Sequence, residues 1–91
     1  GIYLTSAGRE GVYRAVHAAH RSEKLHIVVH DVTEGNIKMV KNGTVDFIIG
    51  QDVNTQGTLP IRLLYDYLER HRFPKERMNM TDITIKFRGN V

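Results

Sequence analysis

Short apolar runs alternate with segments whose apolar residues recur at helical spacing, and that alternation narrows the chain to an α/β fold. Ile2, Tyr3, Leu4 and Thr5 form the first run, closed by Ser6, Ala7 and Gly8. Such a near-continuous stretch predicts a strand buried on both faces. From Arg9 to about Arg21, Val12, Ala15, Val16 and Ala19 fall at i, i+3, i+4 and i+7, which predicts an amphipathic helix. Leu25 to Val29 predicts a second strand, ending in His30 and Asp31. Thr33 can cap a short helix whose Glu34 suits the N-terminal dipole, with Ile37, Met39 and Val40 facing inward. Asn42-Gly43 ends that helix, and Val45 to Ile49 predicts a third strand before Gly50, Gln51 and Asp52.

A longer helix is expected from about Thr58 to Arg72, burying Leu64, Leu68 and parts of Ile61, Leu63 and Tyr67. Pro60 is comfortable only in a first turn, so this helix starts near Leu59, or starts earlier and kinks. Ile83, Ile85 and Phe87 alternate with Thr84, Lys86 and Arg88, the pattern of a half-exposed edge strand. The order β-α-β-α-β-α-β implies a parallel sheet with right-handed crossovers.

At 91 residues the chain makes one small domain at most. Hydrophobic residues at 41% and charged residues at 25% argue against intrinsic disorder. No apolar run approaches the roughly 20 residues that span a bilayer. The absence of cysteine removes disulfides, thiolate zinc sites and a cysteine nucleophile. The chain enters an apolar run directly after Gly1, without initiator Met or signal peptide, as expected of a piece of a longer protein.

Ligands of open parallel sheets bind at the carboxyl ends of the strands. Three predicted strands end there in polar residues: Thr5-Ser6, His30-Asp31 and Gln51-Asp52. A carboxylate accepts hydroxyl donors and a carboxamide both donates and accepts, so the set suits a polyol. The competing reading is that strand-end residues of these types merely cap the next helix or turn.

The segments Gly1–Gly8 (GIYLTSAG), Ile27–Glu34 (IVVHDVTE), Lys41–Asp46 (KNGTVD) and Ile48–Asp52 (IIGQD), followed by Gln56-Gly57, resemble the C-terminal part of the LacI-type regulators. That family shares its ligand-binding core with the type I periplasmic sugar-binding proteins. The resemblance covers essentially all of the chain and implies an α/β, parallel-sheet fragment of a two-subdomain core that closes on a sugar around a hinge. It places residues 1–52 and about 80–91 in the C-terminal subdomain, and the helix of about 53–79 in the N-terminal one. It matches Asp31 to the strand-end Asp that bonds sugar hydroxyls, and Gln51 to the polar residue at the hinge crossing, with Asp52 and Val53 beside it. Thr5 stands where sugar binders often have Asn, with Ser6 adjacent. Val53 replaces a frequent Pro, and Pro60 stands where a helix former is usual.

Three classes of function follow. The first is the effector-binding segment of a regulator whose DNA-binding helix-turn-helix lies upstream, dimeric when complete and cytoplasmic. Its support is the closing Thr81–Val91, which resembles regulators that end this strand in an Asn-containing turn. The second is the solute-binding component of a sugar importer, periplasmic or extracellular, with a secretory signal before the core. The third is direct nucleic-acid binding through Arg9, Arg14, Arg21, Lys24, Arg62, Arg70, Arg72, Lys75 and Arg77. Glu10, Glu23, Asp66, Glu69 and Glu76 are interspersed among these, which describes a solvated mixed surface better than a footprint on one face. No catalytic constellation, cofactor or metal is expected: His17 and His20 sit one helical turn apart, but no third ligand is identifiable. Tyr13 and Phe47 are candidates for a core or dimer contact.

Overall fold

The computed structural model describes residues 1–21 and 25–91; Glu23 and Lys24, two of the interspersed charges, lie outside the described residues. Seven elements follow in the expected order: β1 (Ile2–Leu4), α1 (Arg9–Ala18), β2 (Ile27–His30), α2 (Glu34–Lys41), β3 (Phe47–Gln51), α3 (Val53–Arg70) and β4 (Ile83–Lys86). The chain divides into two compact units, Gly1–Gly50 with Thr84–Val91, and Gln51–Ile83.

The sheet order is β1-β2-β3-β4. β1 to β3 are parallel, with Ile2 opposite Ile27, Leu4 opposite Val29 and His30 opposite Ile49. β4 departs from the expected all-parallel sheet. The Phe47 ring meets Phe87, Gly50 abuts Thr84, and the Asp52 amide donates to the Asp82 carbonyl at 3.3 Å. Each step forward along β3 is therefore a step back along β4, which marks an antiparallel edge strand. A Cβ on Gly50 would lie 2.5 Å from Thr84 Oγ1 and 2.6 Å from Val32 Cγ2, so only glycine admits this approach.

Alternate strand residues Ile27, Val29 and Ile48 form the first unit's core with Tyr13 and Val16 of α1 and Val40 of α2. Both helices therefore cover one face of the sheet. The opposite face presents Tyr3 of β1 and Phe47 of β3, each about half exposed, so these strands are buried on one face only. Phe47 is thus not a core residue, whereas Tyr13 is.

Element boundaries moved for local reasons. α1 stops at Ala18, short of Arg21, because His20 takes a left-handed φ of 51° and its amide donates to the His17 carbonyl. β2 and β3 begin two residues later than their apolar runs. Asp46 explains both shifts: its Oδ2 accepts from the Ile27 amide at 2.7 Å and its own amide donates to Ile27, pinning the strands' register. Thr33 caps α2 as expected, its hydroxyl accepting from the Asn36 amide at 3.2 Å. Gly43 closes the helix with φ 86°.

In the second unit α3 begins at Val53, six residues ahead of the site expected from Pro60. Asp52 starts it, accepting from the Thr55 amide at 3.0 Å, while the Gln56 amide donates to the Asp52 carbonyl. Pro60 therefore lies inside the helix. No α3 residue is buried, and the expected burial of Leu64 and Leu68 is corrected to more than half exposed. Tyr67 packs edge-on against Phe73 at 5.1 Å, and Tyr65 lies beneath the Arg70 guanidinium. No helix among the described residues is long and apolar enough to cross a membrane.

Bonds from Thr55 to its carboxylate, reinforced by the Asn54 amide, hold the Asp52 carboxyl below the usual carboxylate range. A lowered folded pKa means the cap's contribution is full above the unfolded value and is lost as pH falls through the folded one. An NMR titration should place the Asp52 midpoint below that of a peptide Asp; a midpoint at or above it would contradict the cap.

Candidate functional site

The β2–α2 turn is built around one buried polar side chain. Asn36 is 3% exposed, on the inward face of α2 beside Val40. Its Nδ2 donates to the His30 carbonyl at 3.0 Å and the Asp31 carbonyl at 2.7 Å, while its Oδ1 accepts from the Tyr13 hydroxyl at 3.1 Å. The Tyr13 bond orients the amide, so its donors face the two turn carbonyls. Burial raises the Tyr13 pKa against the lowering effect of Arg9 nearby, so the phenol stays a donor at neutral pH. A buried amide with its hydrogen bonds met is rigid, and it fixes what it holds.

What it holds is Asp31. That residue has φ 72°, a left-handed conformation that Asp tolerates better than most side chains but that still needs support. Support also comes from the Asp31 amide donating to Ile49 at 2.9 Å and from Thr33 donating back to Asp31. Because Thr33 caps α2, the Asp31 carboxylate is not used as a helix cap. It stands exposed at the carboxyl end of β2, where the competing reading would have made it a cap.

Arg9, the first residue of α1, reaches the same turn. Its Nη1 donates to the His30 carbonyl at 2.5 Å and to Asp31 Oδ2 at 3.1 Å. The arginine side chain is 22% exposed and the aspartate 51%. The His30 ring is hydrogen-bonded to the Tyr3 hydroxyl across the outer face of the sheet. Thr5 and Ser6 follow β1 directly, and both are exposed. The β1–β2 register, with Leu4 opposite Val29, carries them toward the His30-Asp31 turn. A groove of about 640 Å³ lies behind this turn between α1 and α2, lined by Arg9, Tyr13, Asn36 and Met39 among others.

In the second unit, Gln51 closes β3 and is exposed. Gln56 Nε2 donates to Gln51 Oε1 at 3.3 Å and to Thr81 Oγ1 at 3.0 Å. With its oxygen engaged, Gln51 offers its amide N–H groups as donors. Asp52 is occupied in capping α3, so the capping reading holds there.

The first unit can present a carboxylate oxygen, guanidinium donors and two hydroxyls, and in the second unit Gln51 presents amide donors. Arg9 and Asn36 join the site beyond the strand-end residues that the sequence marks. Arg9 reads as one of many interspersed surface charges, but the signal for Asn36 is legible: an amide four residues before inward Val40. Arg14 and Arg70 engage Glu10 and Asp66 as i, i+4 pairs, as a mixed solvated surface requires.

The model of the periplasmic binding protein domain matches residues 1–72. No curated protein matches the sequence. Among solved structures, a glucose-galactose binding protein, GanP, from Geobacillus stearothermophilus is similar with a TM-score of 0.86 at 20% identity, over 98% of this chain and 31% of that one. A protein assigned as a LacI transcriptional regulator from Bacteroides fragilis gives 0.81 at 23% identity, over 97% and 30%. A periplasmic ribose ABC transporter protein from Conexibacter woesei gives 0.72 at 26% identity, over 96% and 30%. The chain thus spans about a third of the length of these proteins. The α/β expectation is borne out, with the mostly parallel sheet of the type I periplasmic binding fold.

Proposed function

Because this chain belongs to the periplasmic binding protein domain family, we propose that it is the C-terminal portion of a sugar-binding core and acts by binding, without catalysis. The observation that carries this reading is Asp31, held in a left-handed turn by Asn36 and left out of helix capping. Asp31 accepts sugar hydroxyls, Thr5 and Ser6 contribute hydroxyls from the end of β1, and Gln51 donates from the end of β3. Gln51, Asp52 and Val53 form the hinge. Residues 1–52 and about 80–91 belong to the C-terminal subdomain of the complete protein and the helix of about 53–79 to the N-terminal one, a reading supported by the chain's division after Gly50 and before Thr84.

The complete protein is a dimeric, cytoplasmic LacI-type regulator, in which sugar-driven closure changes the affinity of an upstream helix-turn-helix for DNA. The strand-end turn supports it: Asn90 Oδ1 accepts from the Phe87 amide at 2.8 Å, and Asn90 Nδ2 donates to the Ile85 carbonyl at 3.1 Å. The second reading, a solute-binding component of a sugar importer outside the cytoplasm, draws equal support from the ribose transporter protein's likeness. N-terminal sequencing and intact mass of the natively produced protein separate the two. About 60 further residues forming a helix-turn-helix support the regulator, and an N-terminus processed after a signal peptide overturns it in favour of the importer.

A further inference from the structure

The Arg9–Asp31 pair sets the charge of the β2 strand end. An isolated, half-exposed carboxylate accepts from an ammonium group at least as well as from a hydroxyl. It would therefore bind an amino sugar more readily than a neutral one. Here Asp31 Oδ2 already accepts from Arg9 Nη1 at 3.1 Å. The Arg9 side chain as a whole is 22% exposed, and its second bond, to the His30 carbonyl, keeps the guanidinium from swinging away. Glu10, next to Arg9 on α1, pairs with Arg14 in solvent, each about 80% exposed. His30 meets Tyr3, and Asn36 is neutral.

We propose that Arg9 is a specificity-determining residue that makes the Asp31 turn select neutral hydroxylated ligands over their amino analogues. This deepens the sugar-binding reading and rests on it. With its charge cancelled, Asp31 keeps Oδ1 as an acceptor, and the rest of the guanidinium supplies donors beside it. Acceptor and donor side by side match adjacent sugar hydroxyls, each of which both gives and receives a hydrogen bond. An ammonium entering the same place meets the guanidinium at close range, in a partly desolvated setting where like charges repel strongly. Arg9 also braces the turn, and a brace alone would affect every ligand equally. The ratio between neutral and amino sugars therefore separates selection from support.

The test uses the full-length protein and calorimetry with D-glucose, D-galactose and D-mannose, each beside its 2-amino-2-deoxy analogue at a pH where the amine is protonated. Wild type is expected to prefer the neutral sugar. Arg9→Met, which keeps the packed stem, should shift that preference toward the amino sugar by about tenfold or more, as expected for one charged interaction lost. Arg9→Lys, which retains the charge, should restore much of the preference. Melting curves of the variants confirm folding, and Arg9→Lys alone suffices if Arg9→Met does not fold: abolition of selectivity by this charge-preserving change overturns the inference. Neutral-sugar binding with an unchanged ratio in Arg9→Met also overturns it and leaves the sugar-binding function standing. Binding of the amino sugars and not the neutral ones overturns it as well. Binding of none of the six overturns the proposed function together with this inference.

Discussion

Asp31→Ala in the full-length protein is expected to lower sugar affinity by roughly ten- to a hundredfold, the loss of one or two charge-assisted hydrogen bonds. The reason lies in the turn. The left-handed backbone at Asp31 is held by Asn36, Arg9 and the Ile49 carbonyl, all of which remain when the carboxylate is removed. Alanine tolerates φ 72° less well than Asp. Asp31→Asn keeps the local conformation and removes the charge, so it isolates the chemistry from the strain. Calorimetry on both variants reads the effect. Near-native affinity in both would return Asp31 to a purely structural role.

The largest effect on stability is expected at the centre of the first unit's core. Ile48→Ala removes a fully buried side chain that packs with Ile27, Val29 and Val40. Its cost should be about 2–5 kcal/mol, combining lost transfer energy with an unfilled cavity. Against a typical total of about 5–15 kcal/mol, that is enough to shift a denaturation midpoint plainly. Chemical denaturation of the full-length variant measures the effect. A midpoint unchanged from wild type would contradict the burial of Ile48.

The alternation of elements was legible because it depends on hydrophobic spacing, which is local. Strand edges were less legible because register depends on distant pairs. Asp46 begins β2 by binding the Ile27 amide, and nothing in Leu25–Val29 announces that. From the sequence Asp52 reads as a site and hinge residue, and Pro60 points to an α3 start near Leu59. Yet a cap with both side-chain and backbone bonds starts a helix upstream of a proline that costs it one hydrogen bond. The antiparallel direction of β4 was hidden for another reason. Alternating Ile83, Ile85 and Phe87 look the same in either direction, and only the approach of Thr84 to Gly50 and of Phe87 to Phe47 decides it.

The strand-end residues of the site were legible, but not the pieces that hold them. Thr5, Ser6, Asp31 and Gln51 follow from where the apolar runs stop. Arg9 reads as one more surface arginine until the turn brings His30 and Asp31 to it. Asn36 contradicts the apolar pattern of its helix face, and such a contradiction marks a polar group with a partner to meet. Tyr13 fits the core pattern and conceals a hydroxyl that orients that amide.

The central claim is that Asp31 binds a sugar hydroxyl, and a crystal structure of the full-length protein grown with a bound neutral sugar tests it most directly. A sugar hydroxyl is expected within about 2.5–3.0 Å of an Asp31 carboxylate oxygen, with the Arg9 pair retained. A sugar bound elsewhere, with Asp31 meeting only Arg9, would contradict it.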